Sequence, residues 1–185
     1  MSGVPQQVST PWLLLIYSVP AEPTRKRASV WREVKKIGAV YLRDGVCLLP
    51  ERPATVAAAR AIAARVEAFD GQATVVTGAG LDGARAEAVV AEFKAARAAE
   101  YAEIAREAES LLQHIARETE HREFSYAELE ELEVDLTKLK RWTDQVQARD
   151  YFPGESHTRA EVLLEQCDQA LATFLDRAAA SDASA

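Results

Sequence analysis

The chain has 185 residues and a formal net charge of -7, enough length for one large domain or two small ones and too acidic overall to suggest a nucleic-acid binder. Cys47 and Cys167 are its only cysteines and lie far apart, which excludes a disulfide framework; the longest apolar run, Trp12 to Tyr17, is too short to span a bilayer. The charge is uneven, however. Residues 1–50 carry seven Lys/Arg against three Asp/Glu, whereas residues 91–185 carry eleven against twenty-one. That asymmetry suggests two functional halves, and it reopens the question of an anionic partner.

Residues 1–10 read as a disordered tail without the basic start of a signal peptide, so a cytoplasmic location is expected. WLLLIYSV (residues 12–19) is a continuous apolar run, the pattern of a central strand covered on both faces. Pro20 and Pro23 end it. Val30, Val34 and Ile37 then recur at helical spacing, and Gly38 is placed to stop that helix. AVYLRDGVCLLP (residues 39–50) reads as a β-hairpin turning at Asp44-Gly45. Pro53 opens an Ala-rich helix to Phe69, and Ala73–Thr77 forms a fourth strand. The order β-α-β-β-α-β predicts an α+β fold, a ferredoxin-like sandwich over residues 11–83.

Residues 84–180 read as helical throughout, with residues 181–185 as a frayed tail. Tyr101, Ile104, Ala108, Leu111 and Ile115 form one apolar stripe; Leu129, Leu132, Leu136, Leu139, Thr143 and Val146 form a second. Ala160, Leu163, Cys167, Leu171 and Phe174 form a third. Ser125-x-x-Glu128 and Thr158-x-x-Glu161 have the form of capping boxes at the two breaks. Three amphipathic helices with short connections predict an antiparallel three-helix bundle.

The segment TRKRASVWREVKKIG (residues 24–38) holds Arg25, Lys26, Arg27, Arg32, Lys35 and Lys36 against the single acid Glu33. With Val30 at the centre of the buried face, Arg25, Arg32, Lys35 and Lys36 fall opposite it, with Ser29 near them and Glu33 at the edge. Solvated helix faces ordinarily mix signs, because i,i+4 pairs of opposite charge stabilise and like charges repel. Arg25, Lys26 and Arg27 moreover occupy the first turn, where the helix dipole disfavours cations. Uncapped amides together with cationic side chains make an anion site. These six residues are the candidate DNA- or anion-binding set. Trp31 flanks the apolar stripe and is expected to be a half-buried packing residue.

Other motifs point less clearly to function. Gly78-Ala79-Gly80-Leu81-Asp82-Gly83 matches G-x-G-x-x-G, but no strand follows to complete a dinucleotide-binding unit, and the stretch reads as a junction. His114, Glu118 and His121 share a helical face that could hold a divalent metal, although a solvated helix end with Arg117, Glu120 and Arg122 explains it equally well; no metal and no cofactor are assigned. No Ser/His/Asp or Cys/His arrangement is suggested, and Cys47 alternates within a predicted strand as a core residue would. A non-enzymatic protein is expected.

The run from Trp12 to Pro50 resembles the N-terminal domain of the chromate-resistance regulator family ChrB. Its carriers are Trp12, Tyr17, Pro20 and Pro23, then Arg25, Arg27, Val30, Trp31, Lys35 and Gly38, then Gly45, Leu49 and Pro50. FKAARAAEYAEI, ELEELEVDLTKLKRW and ARDYF extend the resemblance over residues 11–180. It implies a bacterial DNA-binding transcriptional regulator, a homodimer responding to chromate oxyanion. Full-length members carry a further C-terminal domain for which these residues have no room, so the resemblance bears on DNA binding more directly than on chromate. The first half also looks like a module of phenylacetate-type repressors and small CRISPR-associated nuclease-like proteins. Those nuclease-like relatives place a metal-binding Asp at the end of the first strand, where this chain has Tyr17 followed by Ser18.

The expected function is therefore DNA-binding regulation through the basic helix. One alternative is a protein-interaction or dimerisation module whose acidic helices dock a partner. A further one is a ferredoxin-like, metal-dependent nuclease relying on Asp44.

Overall fold

A computed structural model describes residues 10–121 and 125–182. The chain divides into two compact units, residues 1–93 and residues 94–185. The expected tails at 1–10 and 181–185 lie mostly outside the described residues, as does Arg122; residues 181 and 182 belong to the last turn of a helix.

The first unit contains β1 (Trp12–Ser18), α1 (Thr24–Lys36), β2 (Val40–Arg43), β3 (Val46–Pro50), α2 (Pro53–Glu67) and β4 (Gln72–Ala79), followed by the start of α3 (Gly83–His121). Its four strands form one antiparallel sheet in the order β2-β3-β1-β4. Alternation along β1 decides what each sheet face meets. Leu13 and Leu15 pair with Leu49 and Cys47 of β3, and all four are fully buried. The same core takes Val30 and Val34 from α1 and Ala59, Ile62 and Val66 from α2. Burying a side chain of the Leu class stabilises by roughly 1.5–3 kcal/mol, so each of these contacts contributes substantially to the unit's stability.

The opposite face is covered from Trp12 to Leu48, the fully buried partner of Leu14, and opens only towards Ile16, so the expectation of a strand enclosed on both sides holds for part of β1. Trp12 is 2% exposed and stacks on Phe93 of α3, with ring centroids 6.0 Å apart and planes at 20°. That contact explains why the first eleven residues of α3 group with the sheet. Further along, Ile16 is 42% exposed. Asp82 caps α3, its Oδ1 accepting from the Arg85 amide at 2.8 Å.

Two connections shape the sheet's end. Gly38 adopts φ 71° and its amide reaches the Lys35 carbonyl, closing α1 in the left-handed conformation glycine permits. Gly45 also has φ 71°, and a Cβ there would come within 2.4 Å of the Tyr17 carbonyl oxygen. The Tyr17 amide donates to the Gly45 carbonyl at 2.7 Å, so the hairpin turn is fastened to the end of β1.

The second unit comprises the rest of α3, α4 (Tyr126–Gln147) and α5 (Glu155–Asp182). One core joins the three helices: Ala108, Leu111 and Ile115 from α3, Leu132, Leu136 and Leu139 from α4, and Leu164, Cys167, Leu171 and Phe174 from α5. The Cys167 thiol donates to the Ala108 carbonyl at 3.4 Å. Buried Thr143 satisfies its hydroxyl on the Leu139 carbonyl one turn earlier. Ser125 caps α4, accepting from the Glu128 amide at 3.1 Å. Thr158 caps nothing: α5 begins three residues earlier, at Glu155 just past Pro153-Gly154, and the Glu161 carboxylate meets Gln147 and His157 instead. Among the described residues no helix is long and apolar enough to cross a membrane.

Candidate anion-binding face

α1 emerges from Pro23 with no side chain capping its N-terminus and no acid in its first turn. The positive end of the helix dipole is therefore left uncompensated by local groups. Val30 and Val34 are fully buried, which sets the helix's rotation and turns Arg25, Arg32, Lys35 and Lys36 to solvent. Ser29 is partly buried rather than on that exposed face. Glu33, the one acid, points at α2 and pairs with Arg65 at 2.9 Å.

The six candidate residues do not form a single group. Lys26 is engaged internally: its Nζ lies 3.3 Å from the Asp70 carboxylate and 5.4 Å from the centre of the Phe69 ring. Asp70 holds its own left-handed conformation at φ 61° just after α2. Arg27 is exposed and turned towards the end of β1. Among the described residues, no carboxylate pairs with Arg25, Arg27, Arg32, Lys35 or Lys36. Lys35 lies 5.8 Å from the centre of the Trp31 ring, a cation–π approach that leaves the ammonium facing water.

Trp31 is 52% exposed, more open than a packing residue, because it sits between the buried stripe and the wall of a cleft. That cleft measures about 670 Å³ and is bounded by α1, the end of β1 and the β2–β3 turn. Arg27 and Trp31 line one side; Tyr17, Tyr41 and Asp44 line the other. The two tyrosine hydroxyls are hydrogen-bonded at 2.8 Å. Burial raises both phenols above their ordinary value, so each stays protonated at neutral pH. The wall thus offers neutral hydroxyls, one guanidinium and one indole face, with a single carboxylate at the rim. The hydroxyl pair was not evident from sequence, because Tyr17 and Tyr41 are 24 positions apart. Their shared sheet face follows only from the register that sets Leu15 opposite Cys47 and Cys47 opposite Tyr41.

The remaining motifs are placed as follows. Cys47 is fully buried and burial pushes its thiol up to about 12, the wrong direction for a nucleophile. Gly78, Gly80 and Gly83 lie between β4 and α3, and among the described residues only helices follow, so no strand completes a dinucleotide-binding unit. Ser18 ends β1, and among the described residues no cluster of three metal-ligating side chains forms around Asp44. His114 is grouped with Glu118 and with Glu128 of α4; His121 stays outside that set.

Comparison with known proteins connects the sequence to a family. The family described as "Protein ChrB, N-terminal" matches residues 27–184, which include Arg27, Trp31, Arg32, Lys35 and Lys36. Protein ChrB of Cupriavidus metallidurans is 32% identical over 164 residues, covering 88% of this chain and 47% of that protein. The chain thus spans about half the length of the curated relative it matches. No solved structure matches it. On the extent of these matches, the chain belongs to the family of the ChrB N-terminal region.

Proposed function

We propose that the protein is a bacterial DNA-binding transcriptional regulator of the chromate-resistance type, with α1 as its contact with the DNA backbone. The observation that carries the reading is the set Arg25, Arg32, Lys35 and Lys36, exposed on one helix face and without an acidic partner among the described residues. Surface cations of this kind neutralise phosphates and release counterions, which makes affinity steeply salt-dependent. Arg27 and the uncapped start of α1 supply a second, smaller anion site where an oxyanion such as chromate can compete.

The sheet order β2-β3-β1-β4 supports a ferredoxin-like sandwich over residues 11–83, and the shared core of α3, α4 and α5 supports an antiparallel three-helix bundle over residues 84–180. Association into a homodimer through the acidic helical unit is part of the same reading. A non-enzymatic, cytoplasmic role agrees with the two buried thiols and with Ser18 standing where a nuclease of this architecture needs an acid.

Mobility shifts on the DNA upstream of the protein's own operon, run across a salt series, test this reading. Specific binding that weakens steeply with salt is expected, together with its loss in R25E/R32E/K36E. Absence of specific binding by the wild type at low salt would overturn it.

A further inference from the structure

Residues near the end of α3 and the start of α4 bring together three metal-ligating side chains that the anion-binding face does not use. His114 and Glu118 lie one helical turn apart on α3, and Glu128 stands in the first turn of α4. His114 Nε2 is 3.0 Å from Glu128 Oε1 and 3.6 Å from Glu118 Oε1, and one ligand atom from each of the three residues falls within 4.8 Å of the others. A divalent ion with bonds near 2.0–2.1 Å separates neighbouring tetrahedral donors by about 3.3 Å, so the imidazole–carboxylate spacings already bracket that value.

We propose that His114, Glu118 and Glu128 form a binding site for a divalent transition-metal ion of the zinc class. The side chains are 27%, 14% and 25% exposed, so two carboxylates are largely withdrawn from water with one imidazole between them. Among the described residues neither Glu118 nor Glu128 pairs with Lys or Arg. With a neutral imidazole the group carries two negative charges that no Lys or Arg among the described residues pairs with, and a divalent cation would neutralise them where a lone imidazolium would leave one. One nitrogen and two carboxylate oxygens suit a borderline ion better than magnesium or calcium, which favour all-oxygen sites. Three protein ligands leave coordination positions for water or an exogenous ligand. An entry path exists as well, since His114 also lines an open cleft of about 370 Å³ with Ser110, Asp135 and Trp142. The bound ion would tie the end of α3 to the start of α4. This site is independent of the DNA-binding reading.

Titration of the metal-free full chain with Zn²⁺ by calorimetry, and with Co²⁺ by visible absorption, tests the proposal. The expected result is one saturable ion per chain, a Co²⁺ spectrum typical of nitrogen–oxygen ligation, and a raised Tm in Zn²⁺. H114A and E118Q/E128Q should each weaken binding at least about tenfold, whereas H157A should leave it unchanged. The double variant keeps side-chain size, so the test stands even where H114A folds poorly. Absence of saturable binding, or binding unaltered in H114A and E118Q/E128Q, would overturn the proposal.

Discussion

The two units carry the same number of cations and deploy them in opposite ways. Residues 1–93 contain eleven Lys/Arg against nine Asp/Glu, and residues 94–185 contain eleven against twenty. In the helical unit six of the eleven cations are drawn into pairs: Arg97 and Arg149 with Glu100, Arg106 with Glu103, Arg159 with Glu109, Lys138 with Asp135, Lys140 with Asp168. On α1 only Lys26 is spoken for, while the others of its six cations face solvent. Net charge therefore says little about what a protein of this kind can bind. The fraction of cations left without a carboxylate says more.

The largest test of that contrast is charge reversal in each unit. On the DNA-binding reading, R25E/R32E/K36E should weaken DNA binding by more than about 100-fold and flatten the salt slope, because three proposed phosphate contacts are replaced by repulsion. The corresponding change in the helical unit, K138E/K140E/R159E, should alter affinity by less than about threefold. Comparable losses in both would dissolve the distinction.

Next in size is the hairpin turn of the α/β unit. Gly45→Val puts a β-branched side chain at φ 71° and against the Tyr17 carbonyl, and should cost on the order of 3 kcal/mol in urea denaturation.

The thiols compare the two cores directly. Burial raises Cys47 to about 12 and Cys167 to about 11, both above the ordinary 9.0. The unfolded chain thus releases these protons first. The stability this provides is complete below about pH 9 and falls as pH rises towards 11–12, by up to about 1.4 kcal/mol per pH unit for each thiol. Denaturation midpoints measured from pH 8 to 11 should decline, and C47A should flatten the decline more than C167A. The smallest effect belongs to Arg65→Ala. Its pair with Glu33 is half exposed, so removal should cost less than about 1 kcal/mol and leave DNA affinity nearly unchanged.

Sequence patterns located every element described, because alternation and 3.6-residue periodicity report burial directly. β4 runs from Gln72 to Ala79 rather than only from Ala73 to Thr77, since it pairs with β1 beyond its apolar residues. What escaped depended on partners distant in the chain. Helical phase correctly turned Arg25, Arg32, Lys35 and Lys36 outward, yet could not foresee that Asp70 would claim Lys26. Helical spacing grouped His114 and Glu118 but chose His121 as their companion; the turn of the chain instead brings Glu128 from the next helix. The start of α5 was read late, at Thr158, because the capping pattern there lies inside the helix and its Glu161 carboxylate is engaged by Gln147 and His157.

The fastening of Gly45 to Tyr17 bears on how such a cleft could be retuned over evolutionary time. Backbone contacts, rather than side chains, hold the turn, so the neighbouring exposed residue Asp44 can be exchanged at little expense to folding. A single nucleotide change there to Asn, or a double change to Lys, would shift the rim's charge by one or two units while Arg27, Trp31 and the tyrosine pair stay in place. The rim charge of this cleft thus has an adjustable position built beside a fixed one.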